Sequence, residues 1–227
     1  MSFKSFHPIL IALVLVLFSC NSKEKSSDNK KQEDTIANTS EKSVRTQNIL
    51  FFGTSLTAGY GLEPGQAYPE LIQERLDSLK SPYKAINAGL SGETSAAGKG
   101  RIDWLLKQPV AIFVLELGAN DGLRGIPVKE TTLNLQAIID RVKSKYPKAK
   151  LMLSGMEVPP NMGNKYASDF RNMFKLLAEK NQMTFLPFLL DGVAGIPKLN
   201  QKDGIHPTAV GQKILATNVW AKLQPLL

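Results

Sequence analysis

The chain has 227 residues, 43% hydrophobic, 21% charged and 7% aromatic, an ordinary globular composition with room for one domain or at most two. Seventeen Gly and 13 Pro are too few for a collagenous or wholly disordered chain; one Cys excludes an internal disulfide, and two His leave little room for a histidine metal centre. The formal charge of +8 is not concentrated: residues 1–19 carry +1, 20–47 carry +1 and 48–227 carry +6. Lys143, Lys145, Lys148 and Lys150 surround an expected helix end and strand start. Without interleaved aromatics they read as a solvated helix terminus, not as a nucleic-acid stripe.

Residues 8–18 are an uninterrupted apolar run behind Lys4, roughly half the ~20 residues that span a bilayer as a helix. A positive start, a short apolar core and then small residues describe a secretory signal over 1–19. The segment ends Leu17-Phe18-Ser19-Cys20, which resembles a bacterial lipobox whose Cys becomes the lipidated first residue. Cys20 is the only Cys, which favours lipidation over a plain signal peptide or a membrane anchor. Several acyl chains on one Cys meet the requirement for stable anchoring. Residues 20–47 mix Ser, Asn, Lys and Glu without periodicity and cannot bury enough surface to offset ordering entropy. The expectation is a lipidated, disordered tether and an exported lipoprotein held at a membrane of the bacterial periplasm or cell envelope.

The remainder, 48–227, alternates strand and helix patterns. Residues 48–53 are a short apolar run ending in Gly, a buried strand. Residues 67–80 place Leu71, Ile72, Leu76 and Leu79 at helical spacing, and 83–88 read as a second strand. A helix over 98–107 follows, with Ile102, Leu105 and Leu106 inward, then the strongest strand, 110–117, apolar on both faces as a central parallel strand is. Residues 130–145 carry Leu133, Leu135, Ile138, Ile139 and Val142 on a helix that Pro147 stops. A fourth strand over 149–155, a helix over 165–181, a short strand over 183–188 and a helix over 208–223 complete the chain. Five strands alternating with helices predict an α/β fold, a three-layer α/β/α sandwich on a five-stranded parallel sheet. In such folds the site lies beyond the carboxyl ends of the strands.

Four chemically capable segments stand there: Gly53-Thr54-Ser55-Leu56, Gly89-Leu90-Ser91-Gly92, Gly118-Ala119-Asn120-Asp121 and Asp203-Gly204-Ile205-His206-Pro207. With His7 removed in the signal, His206 is the only His. Asp203, three residues upstream, can reach one imidazole nitrogen and leave the other free, the arrangement a catalytic serine requires. Alone, the segment is equally a helix cap beside an incidental His. Ser55, at a strand–turn–helix junction, is the candidate nucleophile, since a serine needs a positioned base; alone, it is a helix cap. Its setting is G-T-S-L-T, not the G-x-S-x-G elbow. Gly92, with no side chain in the way, and the Asn120 amide, always a donor, are candidate oxyanion donors. Such donors are worth roughly 3 kcal/mol each.

Together and in this order, FFGTSLTAGYGL, INAGLSGETS, ELGANDGLRG and DGIHP resemble the four blocks of the SGNH hydrolase family, also called GDSL esterases, over about 48–223. Within it the chain is most similar to the bacterial thioesterase, lysophospholipase and arylesterase type. The resemblance implies the family's flavodoxin-like fold. It also implies Ser55 as nucleophile, Ser55, Gly92 and Asn120 as the oxyanion hole, and Asp203 and His206 completing the triad. One departure is Thr54, where the family usually has Asp; Thr keeps a hydroxyl acceptor for the turn and loses the charge. Asp121 is expected to orient its loop.

The loops that would wall the site, 122–126 and 156–162, are apolar and offer Leu123, Ile126, Met156, Val158 and Pro159 as substrate-binding side chains. Met adapts to variable shapes. They suit a short-to-medium acyl ester or thioester, or a lysophospholipid, better than a sugar. A carbohydrate O-deacetylase of the same family and a non-catalytic ligand-binding lipoprotein are the alternatives. A receiver would need an acidic cluster after the first strand, and flavin binding would leave Asp203 and His206 unexplained. Neither G-x-G-x-x-G nor a P-loop follows the first strand. No cofactor, metal or nucleic-acid partner is expected, and the chain is expected to be a monomer.

Overall fold

The computed structural model describes residues 47–227. The expected signal, the lipidation site Cys20 and the tether as far as residue 46 lie outside the described residues.

The first half of the domain runs β1 (Gln47–Gly53), α1 (Ser55–Ala58), α2 (Tyr68–Ser78), β2 (Tyr83–Gly89), α3 (Ser95–Leu105) and β3 (Ile112–Glu116). The second half runs α4 (Ala119–Leu123), α5 (Val128–Lys145), β4 (Lys150–Ser154), α6 (Asn164–Asn181), β5 (Thr184–Leu186) and α7 (Ala209–Leu223). The strands form one sheet of order β2-β1-β3-β4-β5, parallel throughout. α2 packs beside α7, while α3, α5 and α6 pack side by side. These two groups sandwich the sheet, which is the expected three-layer α/β/α fold. Covered on both faces, the inner strands read as continuous apolar runs: every residue of β3 is buried, as are Ile49 to Gly53 of β1.

Element edges shift for local reasons. β1 begins at Gln47, one residue before the expected 48–53. α3 begins three residues before the expected 98, because the Thr94 hydroxyl accepts from the Ala97 N–H (3.3 Å) and caps the helix. β5 is three residues long instead of 183–188; Pro187 has no N–H to extend the ladder. α1 and α4, five residues or fewer, are too short to show a period and were not expected. Leu79 and Leu133 do not face inward. Leu79 is the C-cap of α2 and is 62% exposed, and Leu133 is 60% exposed, because the buried stripe of α5 runs through Thr131, Leu135, Ile138 and Val142.

The topology positions the site. From β1 the chain goes to the neighbour on one side, β2, and then crosses to the other, β3. Connections leaving in opposite directions open a crevice beyond the carboxyl ends of β1 and its neighbours. Gly53, which ends β1, pairs with Gly89 of β2 and Glu116 of β3, so three of the four singled-out segments start from adjacent strand ends. At the opposite, amino edge the fold gathers lysines that are dispersed in the sequence, and Lys143, Lys145, Lys148 and Lys150 are only part of that group.

Candidate active site

The turn after β1 is built on a buried carboxylate. Glu116, the one charged residue of β3, is fully buried. Its Oε2 accepts from the Thr54 N–H (2.8 Å) and from the Thr57 hydroxyl (2.7 Å), and the Thr54 hydroxyl donates to both of its oxygens (3.0 and 3.1 Å). Thr57 has spent its proton on Glu116, so the Tyr68 hydroxyl donates to it (2.8 Å). Burial pushes the Glu116 carboxyl up to about 7, against these donors, which favour the ionised form. Burial first, and then Glu116, push the Tyr68 phenol up as well. Gly53 leaves room for this cluster: a Cβ there would stand 2.1 Å from Thr57 Oγ1 and 2.4 Å from Glu116 Oε2. Thr54 thus does more than accept. It caps α1 through the Leu56 N–H (3.4 Å) and ties the turn to β3, and Ser55 follows as the first residue of α1.

His206 reaches that serine. Its Nε2 lies 2.9 Å from Ser55 Oγ, and its Nδ1 lies 2.7 Å from Asp203 Oδ2. The other Asp203 oxygen accepts from the backbone N–H groups of His206 (3.0 Å) and Ile205 (2.9 Å). The backbone and side-chain hydrogen bonds from His206, with that from Ile205, hold the Asp203 carboxyl down at about 2. An ionised carboxylate only accepts, so Nδ1 carries the proton and Nε2 is left to accept from Ser55. The loop is braced behind the imidazole. Gln201 Nε2 donates to the carbonyls of Tyr60 (2.7 Å) and Pro207 (3.0 Å), and the Tyr60 ring centre lies 4.6 Å from the His206 ring centre.

The three expected oxyanion donors lie on the turn after β1 and on the linked loops after β2 and β3. Among the described residues no acceptor takes the backbone N–H of Ser55 or of Gly92. Gly92 has φ +79°, which L side chains rarely adopt. Asn120 Nδ2 donates one hydrogen to the Glu93 carbonyl (3.0 Å), which aims the amide and leaves its second hydrogen free. The loop carrying Gly92 is clamped by Arg101, whose Nε donates to the buried Glu93 (2.7 Å) and whose terminal nitrogen donates to the Ala88 carbonyl (2.9 Å). The buried Asp121 accepts from the Ser95 N–H (2.8 Å), tying α4 to the start of α3.

The structure therefore brings Ser55, His206 and Asp203 into one hydrogen-bonded row and sets Gly92 and Asn120 on neighbouring, interlinked loops. The expected substrate-binding residues divide. Leu123 is 44% exposed on this edge; Ile126 is half-buried, with its carbonyl bonded to the Tyr166 hydroxyl (2.7 Å), and Pro159 is exposed. Val158 packs on Gly122. Met156 does not line the site: two residues beyond β4, it is 2% exposed and packs into the core. Sequence reasoning missed Glu116, Tyr60, Gln201 and the Glu93–Arg101 pair. The lone carboxylate inside the apolar run 110–117 was the available signal for the first. A cavity of about 530 Å³ lined by Glu157, Arg171, Phe185 and Phe188 contains none of these residues.

Comparison with known proteins agrees with this architecture. The model of the GDSL-like Lipase/Acylhydrolase family matches residues 51–214. The chain is 38% identical to Esterase TesA of Pseudomonas aeruginosa over 182 residues, 80% of this chain and 90% of that one. It is 35% identical to thioesterase 1/protease 1/lysophospholipase L1 of Escherichia coli over 82% of this chain and 88% of that one. The crystal structure of TesA superposes with a TM-score of 0.76 and 38% identity, covering 80% of this chain and all of that one. The psychrotrophic esterase EstA from Pseudoalteromonas sp., solved inhibited by monoethylphosphonate, superposes with a TM-score of 0.74 and 33% identity, covering 79% and 97%.

Proposed function

The chain belongs to the GDSL-like lipase/acylhydrolase family and is an ester-cleaving hydrolase, and from that premise we propose that it cleaves short-to-medium acyl esters and thioesters through Ser55, His206 and Asp203. The observation that carries the proposal is the imidazole spanning Ser55 Oγ at 2.9 Å and Asp203 at 2.7 Å. His206 Nε2 takes the Ser55 proton as Oγ attacks the carbonyl carbon. The negative charge that develops on the carbonyl oxygen is met by the N–H groups of Ser55, Gly92 and Asn120. His206 then gives its proton to the departing alcohol or thiol, leaving an acyl-serine. Water attacks this ester, His206 takes the water proton and returns it to Ser55, and the acid departs. Asp203 stays ionised and holds the ring.

The hydrogen-bonded row Ser55–His206–Asp203 supports hydrolysis over a binding-only lipoprotein. The rim beside the row carries Tyr60, Leu90, Leu123 and Ile205, each 44% exposed or more, and favours an acyl or aryl group over a sugar. A fluorophosphonate probe should label Ser55 alone, and Ser55→Ala should lose at least ~10³-fold in turnover while keeping its fold. Near-normal esterase activity in that variant would overturn the assignment. We also read the chain as an exported lipoprotein anchored through Cys20, on the apolar run 8–18 that ends there. Metabolic palmitate labelling should mark the wild type and not Cys20→Ser; equal labelling of both removes this reading.

A further inference from the structure

The two edges of the sheet differ in charge. Helices of this fold run back antiparallel to the strands, so the segments joining a helix end to the next strand lie at the amino edge. They are 79–84 and 106–111, together with 143–150, 180–184 and 222–227, which include the last two or three residues of α5, α6 and α7. They carry nine Lys and no Asp or Glu, and all nine lysines are exposed. The hydrogen bonds of Lys143 to Asn181 and of Lys150 to the Leu226 carbonyl leave those charges uncompensated. The last turns of α2, α3 and α6 carry Asp77, Asp103 and Glu179, of which Asp103 pairs with Arg141 and Glu179 with Lys175. The carboxyl-edge segments 53–67, 89–95, 117–127, 155–163 and 187–208 hold six acidic and three basic residues. The positive charge of the domain is thus a property of one face.

Two large apolar side chains stand on that same face. Leu79, the C-cap of α2, is 62% exposed beside Lys80, and Trp104, one residue from the end of α3, is 65% exposed near Lys107. Trp prefers the boundary between water and hydrocarbon, and lysine side chains meet anionic headgroups there. The aromatics among these lysines, Tyr83 and Tyr146, are half-buried, and the Tyr146 hydroxyl donates to the Leu106 and Gln108 carbonyls (2.8 and 2.7 Å), so neither stands out as a base-stacking platform. The chain preceding the domain also joins at this face, since Gln47 opens β1 and its N–H is held by the Pro82 carbonyl (3.0 Å).

We propose that the amino edge is a membrane-docking face that takes an anionic phospholipid surface, with the lysines on the headgroups and Trp104 and Leu79 at the interface. This orientation holds the catalytic row on the far side of the sheet. Seven residues of β1 separate the two edges, roughly 20 Å at the usual rise per residue. Lipids of the docked bilayer are out of reach at that distance, and substrate arrives from the aqueous side as a soluble ester or thioester. That last consequence rests on the hydrolase reading; the docking does not, nor does it depend on acylation of Cys20.

The test uses the purified full chain and its own tryptophans. Emission is followed with vesicles of brominated phosphatidylcholine, with and without phosphatidylglycerol. Quenching is expected with the anionic vesicles at low salt, is expected to fade as salt is raised, and is expected to drop in Trp104→Phe. Lys145→Gln with Lys148→Gln should weaken partition by about fivefold for each lysine in contact, with p-nitrophenyl ester turnover unchanged. Equal quenching by neutral and anionic vesicles, insensitivity to the double substitution, or tighter retention by duplex DNA than by anionic vesicles would each overturn the docking. So would quenching of a reporter on the other edge, Val210→Trp in a background with both Trp104→Phe and Trp220→Phe; Val210 is 58% exposed in the first turn of α7. Loss of ester turnover alone bears on the hydrolase reading and leaves the docking result interpretable.

Discussion

Glu116 shows how one side chain can serve the site without entering it. It receives the Thr54 N–H and the hydroxyls of Thr54 and Thr57, on either side of Ser55, yet its burial holds the carboxyl at about 7 against an ordinary 4.5. The folded state therefore binds a proton that the unfolded state has already lost between those values. The stability from this group is fully present below about 4.5 and is lost as pH rises through about 7, a change on the order of 3 kcal/mol. Glu116→Gln should remove that slope. The unfolding free energy of wild type relative to the variant should fall from pH 4.5 to 7, measured by chemical denaturation, and a difference that stays level or rises contradicts the buried-carboxyl account. Ser55, Gly92, Asn120, Asp203 and His206 were legible in the sequence because each lies just beyond a strand or before a helix, where a chemical group has few structural duties. Glu116 was not, since a lone carboxylate in an apolar run does not say which donors the fold will bring to it. Tyr60 was hidden for a related reason: its partner, His206, is remote in the chain.

Between elements, contact distance decides what propensity alone would get wrong. Gly98 and Gly100 both lie in α3, where Gly normally costs up to ~1 kcal/mol relative to Ala. A Cβ on Gly100 meets open space, whereas one on Gly98 would stand 2.5 Å from Leu117 Cδ1 and 3.2 Å from Phe52 Cζ. Leu117 and Phe52 are fully buried and have nowhere to go. Gly100→Ala should raise the thermal midpoint, and Gly98→Ala should lower it, since overpacking destabilises by about 1–3 kcal/mol. Equal responses at the two sites would mean that α3 does not pack as closely on the sheet as described. Hydrophobic period found every strand and every long helix, because burial on one or two faces writes itself into the sequence. It could not find α1 or α4, which make too few turns. It also misplaced Leu133, because Thr131, a polar residue, holds the buried position one turn before Leu135.

At the scale of the whole molecule, α7 closes the domain onto its first helices. Gln212, 1% exposed, accepts the Tyr68 N–H at 2.9 Å and donates to the Leu56 carbonyl at 3.1 Å, so one buried amide joins the last helix to the two segments around the nucleophile. Gln212→Leu would strand both backbone groups, and unsatisfied buried groups cost about 1–3 kcal/mol each. The variant should unfold earlier and lose turnover in proportion; an unchanged midpoint would show that the groups find other partners. The charge asymmetry was invisible in the sequence for the same topological reason that Gln212 was: five dispersed segments become neighbours only when the helices double back. The hydrogen bond between Ser55 and His206 spans 151 positions of the chain, which has a consequence for biosynthesis. Ser55 leaves the ribosome just after the first strand, and His206 arrives almost at the end, after the entire sheet. Under the proposed mechanism, a chain interrupted before His206 carries an unactivated serine. Recovered esterase activity should consequently trail recovered secondary structure during refolding.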